Sequence, residues 1–108
     1  MSKRKENTSH TSPAATAMLS QLELAFQTVQ ELVNNGFDVL SVTVNKLSKS
    51  EVFLSYTPRC QKLGGLATRQ FYLDGSHYKE LRTAFGDVHV IWYQPVDNIM
   101  GRQVYDRL

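Results

Sequence analysis

Between residues 39 and 73 the chain places five cations, Lys46, Lys49, Arg59, Lys62 and Arg69, against a single acid, Glu51. Tyr56, Phe71 and Tyr72 are interleaved with them. Cations neutralise phosphates with release of counterions, and aromatic faces stack on bases, so this combination suits a polyanion. Lys3, Arg4 and Lys5 at the N-terminus would add to such a surface. The competing reading is a solvated sheet surface with its aromatics turned into the core. Reactive groups are sparse: His10, His77, His89 and one cysteine, Cys60. No HExxH, CxxC, Walker-type glycine loop or GxSxG occurs, and these histidines with one thiol do not supply the convergent ligands zinc requires. No metal or cofactor is expected. Cys60 with His89 could form a nucleophile–base pair, but a lone cysteine is more often a buried small hydrophobe. Leu63-Gly64-Gly65 could offer backbone N–H groups to an anion, although a glycine pair more commonly marks a loop.

These groups must be carried by 108 residues (12.3 kDa), of which 42% are hydrophobic and 20% charged. That is the balance of one globular domain, not of a disordered chain or a fibrous repeat. No apolar run approaches the ~20 residues of a membrane span, and MSKRKENTSHTS has no apolar stretch behind its basic start. A cytoplasmic protein with no membrane partner is expected, in keeping with a single cysteine. The net charge of +2 is unevenly spread. Residues 12–38 hold Glu23, Glu31 and Asp38 and no cation, so a negative segment precedes the positive one.

Residues 1–12 read as a polar, mobile tail. Ser12-Pro13 then supplies an N-cap and a first-turn proline. Leu19, Leu22, Phe26, Val29 and Val33 recur at steps of three and four, widened by Met18, Ala25 and Leu32. This spacing predicts an amphipathic helix of about five turns, ended by Asn34-Asn35-Gly36. The stripe is expected to pack on a sheet, with a self-association seam as the alternative. Val39–Val44 and Glu51–Thr57 alternate as strands joined by a polar loop, a hairpin. Pro58 to Gly65 reads as a loop, Ala67–Leu73 as a third strand, and Asp74-Gly75-Ser76 as a turn. Tyr78, Leu81 and Phe85, closed by Gly86, suggest a short helix, and Asp87–Tyr93 a last strand.

The expected fold is therefore α+β: a long N-terminal helix packed on an antiparallel meander of three to four strands, in the order α-β-β-β-α-β, over residues 13–95. Beyond Pro95, Val96, Met100, Val104 and Leu108 fall at steps of four. They predict an arm or short helix that either folds back or meets a partner.

The segment Val29-Gln-Glu-Leu-Val-Asn-Asn-Gly-Phe-Asp-Val-Leu-Ser-Val, with the later Cys60-Gln-Lys-Leu-Gly-Gly, resembles small uncharacterised proteins of bacterial prophages. The resemblance spans roughly residues 26–93. It implies a bacterial or phage cytoplasm and an accessory role, and it brings no catalytic residue.

Taken together, these features predict a non-enzymatic accessory or regulatory binding protein. A homodimer is expected, contacting a host or phage protein through a sheet edge or through the arm Val96, Met100, Val104 and Leu108. The alternatives are a non-specific nucleic-acid binder using Lys46, Lys49, Tyr56, Arg59, Lys62 and Arg69, and a small enzyme using Cys60.

Overall fold

A computed structural model describes residues 12–96. Helix α1 spans Pro13–Asn34. The Ser12 hydroxyl accepts from the Ala15 N–H at 3.0 Å, and Pro13 occupies the first turn, where its missing N–H would have had no partner. At the other end the Phe37 N–H donates to Leu32 O and the Gly36 N–H to Val33 O, both at 3.0 Å. This double closure requires the left-handed backbone of Gly36 (φ 89°). Both ends of α1 lie where the sequence places them.

Five strands follow: β1 (Val39–Thr43), β2 (Ser50–Leu54), β3 (Leu66–Leu73), β4 (Ser76–Phe85) and β5 (Val88–Pro95). A 3-10 helix, Pro58–Leu63, links β2 to β3. The sheet order is β1-β2-β5-β4-β3. β5 lies between β2 and β4, parallel to the former and antiparallel to the latter. The architecture is α+β as expected, but the sheet is mixed and five-stranded where a meander of three to four strands was expected.

The segment expected to be a short helix is β4. Tyr78, Leu81 and Phe85 keep a helical spacing by coincidence. The side chains instead alternate, with Leu81 packed in the core and Glu80 and Arg82 on the opposite face. Two tight turns decide the matter. Asp74-Gly75 joins Leu73 to Ser76 with positive φ at both central residues (50° and 82°), the twist that suits a two-residue hairpin. Gly86-Asp87 then returns the chain from Phe85 to Val88. The segment read as a loop, Pro58 to Gly65, holds the 3-10 helix and ends on Gly64 (φ 75°).

One face of the sheet carries the main core: Val52, Leu54, Leu81, Val88, Val90 and Trp92, closed by Leu32 of α1 and Cys60 of the 3-10 helix. Gly65 is required here. A Cβ at this position would lie 2.8 Å from the indole of Trp92 and 3.1 Å from the Arg82 carbonyl. At the start of β2, the buried Ser50 hydroxyl donates to Gln21 Oε1 (2.9 Å) and accepts from the Asn45 N–H (3.1 Å), tying α1 to the sheet.

α1 does not seat its whole apolar stripe. Ala25, Thr28 and Leu32 are its buried residues. Leu19, Phe26 and Val33 lie about a third of a turn round the helix from that line and remain 61%, 63% and 53% exposed. The expectation that the stripe packs on the sheet holds for Ala25, Val29 and Leu32 and fails for Leu19, Leu22, Phe26 and Val33. Small Ala25 and Thr28 bring the helix close along one edge of the stripe, and the 3-10 helix closes the remainder of the core.

Candidate binding surfaces

The cations of residues 39–73 are distributed over three sites. Lys46 and Lys49 lie in the β1–β2 loop, and the Lys49 Nζ contacts the Asp87 carboxylate of the β4–β5 turn at 3.0 Å. Arg59 and Lys62 ride on the 3-10 helix beyond the opposite end of β2. With Glu31, Leu32, Asn35, Phe37, Leu63 and Phe85 they line a cleft of about 290 Å³ beside the end of α1. Arg69 sits on β3, on the sheet face away from α1. Tyr56, expected to offer its ring to a base, packs against the core, and its hydroxyl accepts from Gln61 Nε2 at 3.0 Å.

The face of the sheet turned away from α1 forms a second, smaller cluster. Ile91 is fully buried there. It shares its register with Phe53 and Arg82. Phe53 meets Tyr93 edge-on (5.9 Å between centroids), Phe71 meets Tyr93 edge-on (4.8 Å), and Tyr78 stacks on Phe71 (5.7 Å). Arg69 lies over the Phe71 ring at 4.7 Å. Mutual packing of this kind uses the ring faces internally.

An ion-pair network borders these rings. Glu80, only 5% exposed, accepts from Thr68 Oγ1 (3.0 Å), Arg69 Nε (2.9 Å) and Arg82 Nε (2.9 Å). Thr68 reaches the carboxylate because a bulge between Ala67 and Arg69 breaks the β3–β4 register there. Arg82 also contacts Glu51 (3.4 Å) and His89 Nδ1 (3.3 Å). Burial alone would push the Glu80 carboxyl up. The hydrogen bonds from Arg82, Thr68 and Arg69, with the charge of Arg69, outweigh it and hold the group below the usual carboxylate range. The hydrogen bond to Glu80 likewise holds Arg82 further toward its charged form. Two arginines against two glutamates leave this face without the positive excess that polyanion capture draws on.

Cys60 is fully buried, its Sγ 3.7 Å from the Ser55 carbonyl oxygen. It belongs to the core on the α1 side, whereas His89 alternates with the core residues Val88 and Val90 and contacts Arg82 on the other face. The two are not a pair. His77 stacks on Tyr72 at the tip of the β3–β4 hairpin, 4.5 Å between centroids. Among the described residues, no three His, Cys, Asp or Glu side chains converge as metal ligands, and no helix is long and apolar enough to cross a membrane.

A further surface is apolar and includes the helix stripe for which the sequence offers a self-association seam as the alternative. Leu19, Leu22, Phe26 and Val33 stand exposed along α1. Beside them, Leu22, Ala25, Phe26, Val29, Val42 and Val44 line a groove of about 340 Å³ between α1 and the edge strand β1. On β1, Leu40 and Val42 are also exposed, Leu40 at a break in register between Val39 and Ser41. The signal was present as an apolar stripe wider than one sheet contact uses. Of the four arm residues proposed as an interface, Val96 is seen, its N–H bonded to the His77 carbonyl at 2.9 Å. Met100, Val104 and Leu108 lie outside the described residues, as do residues 1–11 of the expected 1–12 tail.

No family model, no curated protein and no solved structure matches this chain.

Proposed function

We propose that the protein is a non-enzymatic binding protein, acting through the apolar surface that α1 and β1 present together. The observation that carries this reading is the run of exposed Leu19, Leu22, Phe26 and Val33, continuous with the groove at Val42 and Val44. Isolated apolar residues on a surface are ordinary, but a contiguous group on one helix and its neighbouring strand marks a contact site. An accessory or regulatory role in a bacterial or phage cytoplasm, which the resemblance over residues 26–93 implies, is part of the proposal. Its partner is a macromolecule, because the groove is open and shallow and is lined by side chains without hydrogen-bonding groups.

The test is photo-crosslinking in a bacterial cell that produces the protein. A benzophenone amino acid at Leu22 or Val33 should give discrete protein adducts, of this chain or another, while one at Tyr72 on the far edge should not. Adducts only from Tyr72, or none from α1, would remove the reading. Dispersal of Lys46, Lys49, Arg59, Lys62 and Arg69 leaves the nucleic-acid alternative without a specific supporting geometry.

A further inference from the structure

We infer that the occupant of the α1–β1 face is a second copy of this chain, docked helix against helix. The inference rests on the reading of that face as a contact surface and names what covers it.

Three observations converge. The exposed residues keep the alternating three- and four-residue steps of a helix–helix seam: 19, 22, 26 and 33, with half-buried Val29 completing the register. From their fractional exposure, Leu19, Leu22, Phe26, Val33 and Val42 present on the order of 450 Å², within the upper part of what a monomer ordinarily leaves in one patch and more than half of the ~800 Å² per partner of a standard interface.

The third observation is charge. Residues 13–38 contain no lysine, arginine or histidine. Glu31 lines the cleft beside Arg59, on the opposite side of α1 from Phe26. The seam is bordered by Glu23 and by neutral Gln27 and Gln30. On α1 itself a nucleic acid or acidic partner has no cation to meet. A basic partner has one carboxylate per helix. A second copy with its helix antiparallel needs none: a two-fold axis near Gln27 sets Phe26 beside Val29 and Leu22 opposite Val33 across the seam, apolar on apolar. Such self-complementarity is what a two-fold interface demands.

The experiment is the mass of the full chain in solution by light scattering over a dilution series, with three variants. The wild type is expected at twice 12.3 kDa. Phe26→Glu places a charge at the centre of the seam on a side chain already in solvent. It should raise the dissociation constant at least a hundredfold with an unchanged circular dichroism spectrum. Val33→Lys, nearer the seam's end, gives a second, milder reading should Phe26→Glu fold poorly. Leu66→Glu, on the edge strand β3 at 76% exposed, should leave the dimer intact.

A wild type at 12.3 kDa at every concentration would overturn the inference. If α1 crosslinks to another protein in that case, the contact-surface reading survives without it. A dimer indifferent to Phe26→Glu and Val33→Lys but lost on deletion of residues 97–108 would place the interface on the arm. A monomer that dimerises only after that deletion would show the arm covering the stripe. Both outcomes also refute it.

Discussion

Replacement of Glu80 by glutamine is the sharpest probe of how the uncovered sheet face is held. Glu80→Gln keeps the shape of the side chain and removes its charge. The carboxylate accepts one hydroxyl and two guanidinium hydrogen bonds. The amide keeps one oxygen as acceptor and turns an NH2 group toward a donor. A buried acid stripped from its partners costs about 3–5 kcal/mol, and an exposed pair about 0–1 kcal/mol. Glu80 is nearly buried, whereas Arg69 is more than half exposed and Arg82 about a third. The arginines can therefore recover water, which places the expected loss at about 2 kcal/mol. For a domain of this size that corresponds to a fall in Tm of roughly 8–16 °C.

The pH dependence gives a second reading. A carboxyl whose folded pKa lies below its unfolded value stabilises the fold at pH above that unfolded value, and the contribution is lost as pH falls through the folded one. For Glu80 the unfolded reference is 4.5 and the folded value is lower. The gap between wild type and Glu80→Gln should be full at pH 7 and shrink steadily below about pH 4. Urea unfolding at matched protein concentration, at pH 7 and at pH 3, measures both, concentration being held because association shifts apparent stability. A gap under about 0.5 kcal/mol at pH 7, or one equally large at pH 3, would show that the network does not hold the face as argued.

Two further substitutions test the α1-side core. Gly65→Ala should destabilise by about 1–3 kcal/mol, because the new methyl group meets the indole of fully buried Trp92 and a backbone carbonyl, neither of which can yield cheaply; an unchanged midpoint in denaturant would count against that packing. Ser50→Ala leaves Gln21 Oε1 and the Asn45 N–H without their partner and should cost about 1–2 kcal/mol. Faster amide exchange at Asn45 would accompany it, and a neutral effect would mean that Ser50 does not bind α1 to the sheet.

Much of the local structure was legible because its causes are local. The Ser12-Pro13 start of α1 and its Asn34-Asn35-Gly36 end depend on capping atoms within a few residues of each other. β1, β2, β3 and β5 each show alternation that no helix would produce. β4 carries a helical signal as well, because the few apolar residues Tyr78, Leu81 and Phe85 satisfy helical and strand spacing alike. The Asp74-Gly75 pair between two alternating segments was the decisive hairpin signal. The candidate surface was half legible: the stripe was plain, and its direction was not. The polyanion reading likewise followed from counting Lys46, Lys49, Arg59, Lys62 and Arg69 along the chain, and neighbours in sequence were separated by the strands between them.

Capping chemistry, side-chain alternation and the choice of an α+β architecture reside in short stretches of this chain, where one residue's neighbours set its backbone. Strand order does not. β5 stands beside β4 through the local Gly86-Asp87 turn, but it takes β2 as its other neighbour because Val88, Val90 and Trp92 complete a core with Val52 and Leu54, which are far away in sequence. Nor does the rotation of α1, which follows from where Ala25 and Thr28 allow close approach and from the 3-10 helix occupying the rest of the face. An apolar residue carries the same transfer free energy whichever way it points, and only long-range packing decides whether the sheet or another surface receives it.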